Sequence, residues 1–146
     1  MKDVFYAIGI LSTFIIASWN AYGNYKNTKK TLYINTVSAD RIKVIGEIRD
    51  SVSSLCIALD SWMFGMDDGK EKALSALYPV LLLLDDEVPS HKNMSNHLEI
   101  VRRFIGSTDN PKKHEEEFDK LMIGLITKTK EIVQSEKKSI ENIVSF

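Results

Sequence analysis

Cysteine, proline and glycine are all scarce, at one, three and seven among 146 residues. The lone Cys56 excludes an internal disulfide and a cysteine-based zinc site, and it fits a reducing compartment. A small buried hydrophobe is its ordinary role. So few chain breakers argue against many short strands closed by tight turns, and for long helices. A charge excess of one sign is missing too. The net charge of −1 removes the long-range field of a general nucleic-acid binder, so no nucleic-acid partner is expected.

Catalytic motifs are equally sparse. His91, His97 and His114 form no i,i+4 pair, and no HExxH is present. No glycine-rich loop suits a phosphate, since Gly65 and Gly69 flank acids. No serine has a nucleophile-elbow context. The one dense ligand-like cluster is Asp85, Asp86, Glu87 and His91, which reads as a solvated helix end before Pro89. The expectation is therefore a protein that is not an enzyme and uses no metal or cofactor.

What is abundant is apolar residue in helical register, and first a run with no charge at all. Val4 to Tyr25 holds twenty-two uncharged residues between Asp3 and Lys26. About twenty helical residues cross a bilayer core. Phe5 and Tyr6 at one end, and Trp19, Tyr22 and Tyr25 at the other, match aromatic belts. A cleaved signal peptide fits less well, because Trp19 and Asn20 stand between the small residues Ala17 and Ala21. Residues 1–25 are thus read as a transmembrane anchor and residues 26–146 as a cytosolic helical bundle. Lys26, Lys29 and Lys30 place the N-terminus outside and the domain in the cytoplasm of a bacterial inner (plasma) membrane. Gly9, Thr13, Ala17 and Ala21 recur every four residues, a stripe suited to close packing of a second helix.

Beyond the run, a continuous helix is favoured over a restart at Ser38. Ile45, Ile48, Val52, Leu55, Leu59, Trp62 and Met66 follow 3-4 spacing, with Ser51, Ser54, Ala58, Ser61 and Gly65 forming a small seam beside them. Asp67, Asp68 and Gly69 end this first helix. A second is read over 70–87, with Leu74, Leu77, Leu81 and Leu84 at helical spacing and four leucines in a row from Leu81, so that it is apolar nearly all round and must be surrounded by other helices. Pro79 should kink it and Pro89 stop it. A third covers 92–105. Asn110-Pro111 opens a fourth running to about Val144, with Glu115, Glu116 and Glu117 at its positive end. The fold class expected is all-α: a transmembrane helix, then an antiparallel bundle with two long stalk-like helices. Trp62, Met63, Phe64 and Met66 cluster at the far tip, either as bundle core or as a docking patch.

The stretch Ser38-Ala39-Asp40-Arg41-Ile42-Lys43-Val44-Ile45-Gly46-Glu47-Ile48-Arg49-Asp50 resembles a recurrent segment of uncharacterised small bacterial and phage membrane-anchored proteins. Some of those lie among mobile-element or phage-defence genes. A tryptophan often stands there where Val44 stands here. The resemblance implies a bacterial or phage setting, and it makes Arg41 and Arg49 candidates for pairing with acids of a neighbouring helix or subunit. It supplies no catalytic residue. Together these readings predict a membrane-anchored helical scaffold that self-associates or recruits a protein partner at the bilayer. The alternative is an oligomeric membrane-perturbing effector in phage defence or superinfection exclusion. Interaction candidates are Arg41, Arg49, Trp62 and Phe64.

Overall fold

The computed structural model describes residues 2–144, with side chains over 13–143. The described chain is all-helical: α1 Lys2–Met63, α2 Gly69–Leu82, α3 Pro89–Ser107, a 3-10 turn Pro111–His114, and α4 Glu115–Val144. It divides into two compact units, Met1–Ala39 and Asp40–Phe146.

The first unit is helix alone. Threonine is a poor helix former, but the Thr31 and Thr36 hydroxyls donate to the Asn27 and Leu32 carbonyls one turn back, each at 2.9 Å. Ser38 starts no new helix; α1 passes through it. The transmembrane reading of 4–25 does not hold. Among the described residues no helix is long and apolar enough to cross a membrane. Gly9 and the rest of the stretch before Thr13 lie outside the residues whose side chains are described. The single-pass inner-membrane placement, with its outside N-terminus, falls with the span.

The second unit is a helical bundle. Its core joins Ile48, Val52, Leu55, Leu59 and Trp62 of α1 to Ala73, Leu77 and Val80 of α2. Met94, Leu98, Val101, Phe104 and Ile105 of α3 complete it with Phe118, Leu121, Leu125 and Ile132 of α4. Each such aliphatic side chain contributes about 1.5–3 kcal/mol when removed from water. Phe104 is the aromatic hinge of this packing, edge-on to Trp62 at 5.9 Å and tilted against Phe118 at 6.4 Å.

The seam of α1 ends at Trp62, not at Met66, because the helix closes in a left-handed cap. Gly65 has φ 75°. Its N–H bonds to the Trp62 carbonyl, and the Met66 N–H reaches back to Ser61, both at 3.0 Å. This is the Schellman arrangement, and it turns Met66 out to solvent. Three residues on, a Cβ at Gly69 would sit 2.6 Å from the Trp62 Cα. Only glycine allows α2 to start against the backbone of α1.

Two boundaries differ from the sequence reading. Helix α2 stops at Leu82, not at residue 87, while Pro79 is carried inside it. The Leu83 and Leu84 N–H groups bond three residues back, which tightens the last turn, and the Asp85 side chain then accepts from the Glu87 N–H. Pro89 does not act as a stop; it is the first residue of α3. Proline lacks only an N–H that the first turn leaves unpaired anyway. At the last helix the Asn110 side chain accepts from the Lys112 N–H, and Pro111 is buried.

His97 crosses from α3 to α4 over Gly124, with its Nε2 at 2.9 Å from the Leu121 carbonyl. A Cβ at Gly124 would run into the His97 ring. Glycine to alanine inside a helix normally stabilises by about 1 kcal/mol. Here Gly124→Ala should instead destabilise by about 1–3 kcal/mol, through overpacking. Urea denaturation should show that loss, and should show no loss when the same change is made in a His97→Ala background.

Candidate interaction site

Arg41 and Arg49 lie eight residues apart on α1 and meet different fates. Arg41 reaches across to α4, where its Nη1 donates to Glu136 Oε2 at 2.8 Å. The Glu136 side chain is 11% exposed. On its other side lies His91 of α3, with Nε2 at 3.7 Å from Glu136 Oε1, too long for a hydrogen bond. The Asp85 N–H donates to His91 Nδ1 at 3.1 Å. That leaves Nε2 to carry the proton of the neutral ring, buried and without a hydrogen-bond partner. The ligand-like residues Asp85, Asp86, Glu87 and His91, read as a solvated helix end, do not converge: His91 turns inward while the three acidic residues are exposed. Among the described residues no group of three or more potential ligands is positioned to hold a metal.

Arg49 remains on the surface and lines an open furrow of about 480 Å³ between α1 and α4. Ile42, Ile45 and Gly46 form its α1 wall; Val133 and Ile140 form its α4 wall, with Lys137 and Glu141 at the rim. A Cβ at Gly46 would meet nothing within 4 Å, so the furrow is open there. Arg49 and Lys137 make no ion pair with any described residue.

The tip separates the two aromatic candidates. Trp62 is core at 5% exposure, whereas Phe64 is 74% exposed beyond the helix end. At the same end, a cleft of about 700 Å³ lies between Met66, Leu74 and Pro111. Lys70 closes one side of it, donating to the Thr108 carbonyl at 3.1 Å and pairing with Asp109 at 3.3 Å.

In the first unit, Thr13, Ala17 and Ala21 are exposed along α1, as are Phe14, Ile15, Ile16, Trp19, Tyr22, Tyr25 and Tyr33. Tyr22, Tyr25, Lys26, Lys29, Lys30 and Tyr33 gather on one side of the helix. Between Val4 and Ala39 the lysines are the only charged residues.

Elsewhere the surface is held by local pairs. Arg102 and Arg103 both donate to Glu99 and hold its carboxyl down at about 2. Burial, and then the nearby Asp60 carboxylate, push the Cys56 thiol up.

No family model matches the chain, and neither do any curated protein or solved structure. The resemblance made both Arg41 and Arg49 candidates for pairing with acids of a neighbouring helix or subunit, and named no acid. The signal for Glu136 was present. Phe118, Leu121, Leu125, Ile132 and Glu136 keep one register along α4, so a carboxylate stands at a core position. The furrow carried no such signal, because Ile42 and Arg49 flank the apolar stripe.

A double-mutant cycle of Arg41→Gln and Glu136→Gln should give a coupling of about 1–2 kcal/mol, between the values of exposed and buried pairs. Cys56 should alkylate slowly at neutral pH and steadily faster under alkaline conditions, since a raised thiol carries little thiolate until the pH climbs. Iodoacetamide labelling followed by mass spectrometry reads this directly.

Proposed function

We propose that this chain is a non-enzymatic helical interaction protein that associates with itself. The observation that carries the reading is the bare apolar surface of α1 in the first unit. Phe14, Ile15, Ile16, Trp19, Tyr22 and Tyr25 are exposed, Trp19 to 77%, and no described residue of the chain covers them. Contiguous exposed patches of this kind mark contact surfaces in folded proteins. A helix without tertiary packing is also only marginally stable in water, so association supplies what the chain lacks there. Thr13, Ala17 and Ala21 keep one line of that helix small, which suits a close approach by a second backbone.

Multi-angle light scattering on the purified full chain should give a mass that is a multiple of 16.6 kDa. Trp19→Glu should shift it toward a single chain, weakening association by about tenfold or more, as loss of a central aromatic anchor does. A wild-type mass of one chain at every concentration tested would remove the reading.

A further inference from the structure

The furrow between α1 and α4 has a matching shape of charge elsewhere on the same chain. Its walls are apolar and its rim carries Arg49 and Lys137, both exposed and without ion pairs, against the single carboxylate Glu141. The α2–α3 junction has the opposite character. Leu82 closes α2 at 86% exposure, and Asp85, Asp86 and Glu87 follow, all exposed and none in an ion pair with a described residue. An exposed leucine with three exposed acids beginning three residues on is what an apolar furrow with a cationic rim would accept. Within one copy the two do not meet: Leu82 stays bare, and the rim cations stay unpaired.

We infer that the α1–α4 furrow is the docking site for the Leu82–Glu87 junction of a second copy of this chain. Leu82 enters above Gly46, where no side chain fills the floor, and the carboxylates of Asp86 and Glu87 meet Arg49 and Lys137. Opposite charges steer the encounter and set the register, while the leucine provides the apolar contact. The inference deepens the self-association reading and rests on it, but it uses the second unit, not the exposed helix of the first.

Charge reversal tests it on the full chain. Arg49→Glu with Lys137→Glu makes one variant, and Asp86→Lys with Glu87→Lys makes the other. All four residues are exposed, so helix content and melting by circular dichroism should match the wild type. Each variant alone should associate about tenfold more weakly at this contact, since its furrow and junction then repel. An equimolar mixture should recover wild-type association, because each furrow again meets a junction of opposite charge. In a mixture of ¹⁴N and ¹⁵N wild-type chains, carbodiimide should join Lys137 to Asp86 or Glu87 across isotopes. A wild type that assembles normally, but shows no mixed-isotope links there and no response to reversal, overturns this inference alone. A wild type that never assembles overturns the self-association reading as well.

Discussion

The apolar seam of α1 from Ile48 to Trp62 is the surface on which the second unit is built. Five side chains in 3-4 spacing present one face, and α2, α3 and α4 bury their own faces in the same core. Because that face is continuous, the closing end must be tight. Gly65 turns the chain in the left-handed region, and Gly69 lets α2 begin in contact with the Trp62 backbone. A side chain at Gly69 would lift α2 away from the seam, and one at Gly65 would strain the left-handed turn. Phe104 then meets Trp62 and Phe118 together, linking three helices at that level.

Toward the other end of the unit the packing becomes polar. Glu136 takes the place an aliphatic residue would hold on α4, between Arg41 of α1 and His91 of α3. A buried carboxylate is costly unless its charge is met, and the 2.8 Å pair with Arg41 supplies that. Such a pair adds little net stability over an aliphatic pair, but it tolerates few other registers of α1 against α4. His91 is tied by the Asp85 N–H, so the α2–α3 junction is held to the same node. The junction's leucine and acids are consequently held outward on a short, pinned loop. That gives the Leu82–Glu87 segment a fixed presentation.

The proposed self-association rests on three exposed features: the bare helix of the first unit, the furrow beside Gly46 and the junction after Leu82. In that proposal the last two complement each other. A chain whose own surfaces complement one another, in different places, assembles either in closed rings or in runs, depending on the rotation between neighbours.

Helix content, the α1 seam and the Asn110-Pro111 turn leading into α4 were legible in the sequence itself, although that turn is 3-10 and α4 proper begins at Glu115. These depend on 3-4 periodicity and on capping side chains, which act over a single turn. The uncharged run before Lys26 misled for the same reason: an absence of charge is a local count, and it does not by itself supply a continuous apolar span. Tertiary structure alone decided that Trp62 is core and Phe64 is not, that Arg41 finds Glu136 ninety-five residues away, and that Gly124 must yield to His97. It also decided that Arg49 borders a furrow. Each of these depends on how closely two helices approach, and no pattern within one helix encodes the surface of the next.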